Sequence, residues 1–154
     1  TPTAVGGEAF LPTRLTLDAI DVDAPVIEVG VEDRVLGVPD DPAELGRWSD
    51  GARPDDRTGS IVLTGHVDYQ GLPGALRPLD TLQPGEEAVL TGAGGQQARY
   101  VTERVDVFRK TALPYEDIFL YDVPERLVLI TCGGTFDRST GHYDSNVVAY
   151  LRRI

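Results

Sequence analysis

Two reactive side chains stand out in this sequence because each directly follows a run of apolar residues. Cys132 is the only cysteine among 154 residues; it ends the segment LVLITC and precedes two glycines. His66 follows the segment SIVLTG in the same way. A strand that ends on such a residue brings it to the rim of a sheet, where functional side chains concentrate. A thiol beside an imidazole can act as a nucleophile with an acid–base partner. The pair therefore indicates cysteine-dependent acyl chemistry.

Other readings of these side chains stay open at this point. A lone cysteine is often a small buried hydrophobic residue, and a lone histidine is often an ordinary loop residue. His142, in the loop TFDRSTGHYDS, is a second candidate imidazole, although it does not end an apolar strand. A zinc site made of Cys132, the two histidines and Asp68 lacks the usual ligand spacing. We therefore predict neither a metal nor another cofactor.

Acyl transfer also needs a group that stabilises a developing oxyanion, and arginine side chains or backbone N–H groups can do this. Arg138 lies six residues after Cys132 and is the first arginine beyond it in the sequence. We predict it as the third member of the catalytic group.

Composition narrows the class of protein further. The chain carries 14 basic and 25 acidic residues, a formal net charge of −11, which argues against nucleic acid and anionic lipid surfaces as partners. Its length fits one domain, which we place at residues 13–154 behind a linker at residues 1–12. No apolar run is long enough to span a membrane, and no signal peptide is apparent. The sequence contains no methionine, so we expect an N-terminal targeting or anchoring segment ahead of residue 1.

The elements that must position these residues read mainly as strands. Apolar runs separated by turn residues, with few helical patterns, predict an all-β barrel or sandwich. The predicted strands lie in residues 15–30 (two strands around a turn at 21–23), 60–66, 86–92, 96–110 (one long or two short), 125–132 and 145–153. Residues 35–59 are predicted as loops and turns, with one helical turn after Asp40, and residues 75–82 as a short helix.

Taken together, the segments Leu129–Cys132 (LITC) and Thr64–His66 (TGH) resemble the signature of sortases, the cysteine transpeptidases of Gram-positive cell surfaces. The resemblance is closest to the class E/F branch of high-GC Gram-positive bacteria. It covers residues 14–152 in order, including LDAIDVDAPVIEVG, RWSDGARPDDRTGSIVLTGHVD and LITCGGTFDRSTGHYDSNVVAYL.

The resemblance implies a closed eight-stranded β-barrel with a few short helices in its loops, and a groove that holds a Cys–His–Arg group. Cys132 would attack the Thr–Gly carbonyl of an LPXTG-like sorting signal and form a thioester. His66 would protonate the leaving amine and deprotonate the incoming one, an amine of a cell-wall precursor. The domain would lie on the extracellular face of the membrane, anchored by the expected N-terminal segment.

Around this pair, the resemblance implies that Thr131 shapes the site and hydrogen-bonds the substrate. Asp68 would orient the imidazole or its loop, or serve only as a turn residue. Sortases usually carry their essential arginine at the start of the strand after the cysteine strand, but residues 143–147 contain none. Arg138 is the first substitute, and Asn146 could supply a neutral hydrogen bond. Arg152 and Arg153 should lie at the wrong end of that strand.

Two further functions remain alternatives. One is a cysteine hydrolase that uses the same site with water as the acceptor. The other is a secreted β-rich binding module in which Cys132 is inert.

Overall fold

A computed structural model of the protein describes residues 8–32, 35–37, 39–69, 72–109, 112–137 and 142–154. Within these ranges only the backbone is described at residues 32, 35–36, 68–69, 132–137 and 142–144.

A closed barrel of eight strands dominates the described part of the chain. Its strands, numbered together with the shorter ones in chain order, are β1 (Pro12–Leu17), β2 (Val22–Val29), β5 (Leu45–Trp48), β6 (Ser60–Gly65), β9 (Glu87–Gly92), β10 (Gln97–Arg109), β11 (Arg126–Asp137) and β12 (His142–Arg153). Around the barrel they run in the order β1-β2-β5-β6-β11-β12-β10-β9, and β9 pairs with β1 to close it. The pairs β2–β5 and β6–β11 are parallel and the others antiparallel. The predicted closed eight-stranded barrel is confirmed.

Short elements decorate this barrel. Two small antiparallel sheets pair β3 (Val31–Glu32) with β4 (Val35–Leu36), and β7 (Asp68–Tyr69) with β8 (Leu72–Pro73). Helical structure among the described residues is limited to 3-10 turns at Asp18–Ile20 and Arg77–Thr81 and to the one-turn helix α1 (Tyr115–Ile118), apart from isolated turns. No helix in the described ranges is long and apolar enough to cross a membrane.

Two apolar clusters explain why β6 and β11 read as continuous apolar runs. Leu63 and Leu129 point into the barrel, where they join side chains from all eight strands. Val62 and Val128, one residue earlier on each strand, pack outside the barrel against Trp48 and the segment around α1. Because both faces of these strands are buried, the usual alternation of apolar and polar residues disappears.

Two predictions about elements need correction. The predicted loop at residues 35–59 contains β5, a barrel strand whose four residues are all buried. The prediction missed it because LGRW carries a glycine and an arginine and stands among prolines and aspartates. The strand through Cys132 does not end there: β11 continues to Asp137, with a register irregularity between Gly133 and Phe136. The short helix predicted near residues 75–82 is confirmed as a 3-10 helix at Arg77–Thr81, and β10 is one long strand, one of the two forms predicted, with a bulge between Thr102 and Arg104.

The division between linker and domain stays a prediction. β1 begins at Pro12, and Phe10, inside the predicted linker, is 6% exposed and belongs to the cluster that fills the barrel.

Candidate active site

The parallel pairing of β6 and β11 sets the positions of the two predicted reactive residues. In this register Thr131 lies opposite Gly65, and the next residues along the two strands are Cys132 and His66. Neighbouring strands lie about 4.8 Å apart. The backbones of the cysteine and the histidine, 66 residues apart in sequence, are therefore brought to the same end of the same strand pair.

The hydroxyl of Thr131 fastens these two strand ends together. It donates a hydrogen bond to the carbonyl oxygen of Gly65 at 2.7 Å, and the residue is only 3% exposed. The bond joins the residue before Cys132 to the residue before His66. This bond holds the two strand ends in register; the predicted roles of Thr131 in shaping the site and in contacting substrate stay predictions.

Asn146 occupies the position across from Cys132 on the other neighbouring strand. It is the register partner of Cys132 in the β11–β12 pair, and its amide Nδ2 donates to the carbonyl oxygen of Thr131 at 3.2 Å. This part-buried amide therefore lies where the resemblance leads one to look for an arginine.

The other arginine candidates fall elsewhere. Arg152 pairs with Arg126, and Arg153 pairs with Tyr100, both at the opposite end of β12 from Asn146. The expectation that these two arginines lie at the wrong end is confirmed. Arg138 lies outside the described residues, so its role stays a prediction.

His66 is held from two sides. Its ring atom Nε2 lies 2.7 Å from the carbonyl oxygen of Pro39, and its own carbonyl oxygen accepts a hydrogen bond from the N–H of Leu76 at 3.2 Å. Gly74 packs so closely here that a Cβ on it would lie 1.9 Å from the His66 carbonyl oxygen. Only glycine fits at this position without a shift of the backbone.

The two remaining candidates are described by their backbone alone. Asp68 lies in β7, two residues after His66, and pairs with Pro73 of β8. His142 begins β12 and pairs with Asp137. The predicted role of Asp68 in orienting the imidazole stays a prediction.

A buried apolar cluster lies on the outer side of the sheet along β11 and β12. Ile130 and Val148 belong to the outer cluster, together with Tyr150 further along β12. The guanidinium of Arg104 lies 4.1 Å from the centroid of the Tyr150 ring. Burial raises the pKa of the Tyr150 phenol above its ordinary value.

A cavity of about 750 Å³ lies next to the segment that follows His66. Val67 and Gly74 line it, together with Arg77 and three aspartates, Asp21, Asp23 and Asp80. No group of three or more His, Cys, Asp or Glu side chains in the described ranges is arranged to hold a metal ion.

The closed mixed barrel, with the cysteine and histidine strands side by side, is the fold of the sortases. It is similar to sortase C-1 from Actinomyces oris, with a TM-score of 0.69 and 18% identity over 92% of this chain and 72% of that one. A lid mutant of sortase A from Corynebacterium diphtheriae matches with a TM-score of 0.72 and 16% identity, over 96% of this chain and 72% of that one. At these identities the likeness is one of fold. No curated protein matches the chain.

The sequence itself shows that the similarity extends from the fold to the family. The family profile described as "Sortase domain" matches residues 15–154, nearly the whole chain. The chain therefore belongs to the sortase family and is a sortase-type transpeptidase. Enzymes of this family sort proteins to the cell wall at the surface of Gram-positive bacteria.

Residues that the sequence did not indicate also contribute to the site. The carbonyl of Pro39 contacts the His66 ring, and Gly74 packs against the His66 backbone. Only Gly74 carries a visible signal, since a glycine after a proline in a loop marks a turn or a close approach. A backbone carbonyl such as that of Pro39 has no signature in a sequence.

Proposed function

We propose that this sortase cleaves an LPXTG-like sorting signal between Thr and Gly and transfers the acyl part to an amine of a cell-wall precursor. The observation that carries the proposal is the β6–β11 register, in which Cys132 and His66 directly follow the paired residues Thr131 and Gly65. A nucleophile and its acid–base partner must lie close together, and this register meets that condition at the level of the backbone.

The reaction runs in two acyl-transfer steps. The Cys132 thiolate adds to the threonine carbonyl, the C–N bond to glycine breaks, and His66 gives its proton to the leaving amine. This yields a thioester on Cys132. The incoming amine loses a proton to His66 and attacks the thioester carbonyl, which forms a new amide and releases the thiolate.

The oxyanion of each tetrahedral intermediate needs a hydrogen-bond donor. Arg138 is the proposed donor, and the Asn146 amide, in register with Cys132, is its neutral partner or replacement. Alanine substitution of each residue in turn distinguishes which of the two stabilises the oxyanion. The residue that stabilises the oxyanion should lower kcat by about 10²-fold or more when truncated to alanine, while the other should change it far less.

Cellular placement and subclass complete the proposal. The domain works on the extracellular face of the membrane, attached by an N-terminal segment ahead of the linker. The segments quoted above support assignment to class E/F, although the structural neighbours named here are of classes C and A.

A panel of sorting-signal peptides tests the proposal. The wild-type protein should cleave an LPXTG-like peptide, Cys132→Ala should abolish cleavage while remaining folded, and mass spectrometry after acid quenching should find an acyl group on Cys132. Absence of thiol-dependent cleavage across the panel would contradict the proposal.

The same assay separates the two alternative functions. Addition of a glycine-terminated peptide amine should convert the hydrolysed product into an amide-linked one; an unchanged product ratio points to a hydrolase. An inert cysteine in a binding module should react with iodoacetamide no faster in the wild type than in His66→Ala, and should form no acyl-enzyme.

A further inference from the structure

The contact between His66 and Pro39 has a consequence for the direction of proton transfer. The ring nitrogen Nε2 lies 2.7 Å from the Pro39 carbonyl oxygen, within the normal range of an N–H···O hydrogen bond. A carbonyl oxygen can only accept. A hydrogen bond at this distance therefore requires the proton on Nε2, both in the neutral imidazole and in the imidazolium ion.

We propose that the Pro39 carbonyl is the positioning group of His66, holding the imidazole in the Nε2–H tautomer so that Nδ1 carries out the proton transfers. This inference rests on the proposed function for the identity of the reaction. The proton given to the leaving amine departs from Nδ1, and the proton of the incoming amine returns to Nδ1, while Nε2–H stays bonded to the carbonyl throughout. Histidine bases in other enzymes are commonly oriented by an acceptor on their second nitrogen.

The carbonyl can do this only if its own position is fixed, and neighbouring contacts fix it. Pro39 is buried, and its ring packs beside Gly46, where a Cβ would lie 3.1 Å from the Pro39 Cδ. Two residues earlier, the N–H of Gly37 donates to the carbonyl oxygen of Gly30 at 2.9 Å. This part of the chain is thus tied to the barrel on both sides of residue 38.

A further contact comes from β6, the strand that precedes His66. The hydroxyl of Thr64 donates to the carbonyl oxygen of Gly37 at 2.9 Å, and Thr64 is 6% exposed. Thr64 is two residues before His66 on β6. The end of β6 therefore carries the imidazole of His66 and also holds the backbone that orients it. Thr64 is a positioning residue that acts on His66 indirectly, through the backbone that carries the Pro39 carbonyl.

Nitrogen NMR tests the tautomer without any catalytic turnover. In ¹⁵N-labelled Cys132→Ala, long-range ¹H–¹⁵N spectra should show the His66 ring, when neutral, with a protonated Nε2 and an unprotonated Nδ1. A His142→Gln variant assigns the two histidines. A His66 ring protonated on Nδ1 would overturn the proposal. This readout is independent of whether the protein cleaves a sorting signal, so failure of the proposed function would leave it unaffected.

Variants of Thr64 test the tie. Thr64→Val keeps the shape and removes the donor, so the His66 spectrum should show a mixture of tautomers, and kcat for peptide cleavage should fall about tenfold with KM nearly unchanged. Thr64→Ser should restore both. A Thr64→Val protein with the wild-type tautomer and kcat would overturn the role of this tie.

Two control variants complete the experiment. Thr102→Val removes an equivalent buried hydroxyl, which donates to the carbonyl oxygen of Glu86 at 2.8 Å at the other end of the barrel, and should leave the His66 spectrum and kcat unchanged. Asp68→Asn tests the competing orienting group. If it changes the tautomer while Thr64→Val does not, the carboxylate of Asp68 and not the Pro39 carbonyl orients the ring.

Discussion

Thr131 shows how one hydroxyl can hold together the strand ends that carry Cys132 and His66. Its bond to the Gly65 carbonyl is buried, and the carbonyl of Thr131 in turn accepts from the Asn146 amide. Through these two bonds Thr131 links the three adjacent strands β6, β11 and β12. A substitution here should therefore affect both stability and the alignment of Cys132 with His66.

We expect Thr131→Val to lower the free energy of unfolding by about 1 kcal/mol, because a buried carbonyl loses its donor. It should also reduce kcat/KM for peptide cleavage, since the two strand ends are no longer tied. Urea unfolding and the peptide assay measure the two effects. Thr102→Val, which loses a comparable buried bond far from the site, should show the loss of stability alone. Equal activity in both variants would contradict the positioning role.

At the scale of elements, β5 carries the least expected feature of the fold, a buried arginine. Arg47 is 1% exposed, and its guanidinium donates to the carbonyl oxygens of Gly51 at 2.8 Å and Ala52 at 3.2 Å. It also forms an ion pair with Glu28 on β2. Burial lowers the pKa of Arg47 and the charge of Glu28 opposes this shift. The Arg47 side chain thus connects β5 and the turn after it to β2, through its hydrogen bonds and its ion pair.

Arg47→Met should therefore cost about 3 kcal/mol of unfolding free energy, since it leaves two carbonyls without their donor and Glu28 without its partner. Chemical denaturation provides the measurement. Arg99→Met is the matched control: Arg99 pairs with Glu87 on the surface, with side-chain exposures of 61% and 45%, and its loss should cost less than about 1 kcal/mol. Similar losses for the two variants would show that the buried contacts of Arg47 contribute little.

At the scale of the whole molecule, one end of the barrel holds the backbones of Cys132 and His66, and the other, which we call the structural end, holds a network of polar side chains. At the structural end the phenol of Tyr100 donates to Glu125 at 2.5 Å, and Arg153 reaches both Glu125 and Asp55 at 2.9 and 2.7 Å. The N–H of Arg57 also donates to Glu125 at 2.9 Å. This network joins the last strand to the loop before β6, on the opposite side of the barrel from Cys132.

Tyr100 makes this network sensitive to alkaline pH. Burial, reinforced by the negative charge of Glu125, raises the pKa of the Tyr100 phenol above its usual value. The unfolded chain therefore loses this proton before the folded one does. The stabilisation is complete below about pH 10, the ordinary tyrosine pKa, and declines as the pH rises beyond it.

We expect Tyr100→Phe to lower the free energy of unfolding at neutral pH by about 1–2 kcal/mol, the usual cost of leaving a buried carboxylate without one donor. The difference from wild type should shrink as the pH rises above about pH 10, because the wild type alone loses the contribution of this phenol. Urea unfolding at several pH values measures it. Peptide cleavage at neutral pH should be unchanged, and a difference in stability that is independent of pH would contradict the assignment.

Several features of the fold followed from local sequence. SIVLTG and LVLITC are long apolar runs, and both form barrel strands because each is buried on both faces. The β-rich class, the strand end at Gly65–His66 and the last strand were predictable for the same reason. β5 was not, since the burial of Arg47 depends on how the backbone turns back after β5 to supply two carbonyls and on an ion pair with Glu28 of β2. The extension of β11 past two glycines depends on its pairing with β12.

The candidate site also has one part that could be predicted from the sequence and another that only the tertiary structure decided. A single cysteine and a histidine at the ends of two apolar runs could be recognised from residue types alone, because thiol and imidazole reactivity belongs to the side chains. That the two residues lie side by side could not be recognised in this way. It depends on the parallel pairing of β6 with β11 in the closed barrel, which joins positions 66 residues apart. The orientation of His66 likewise depends on the folded chain, because its acceptor is a backbone carbonyl. Every residue has such a carbonyl, and only the tertiary structure decides which one lies within hydrogen-bond distance of the imidazole.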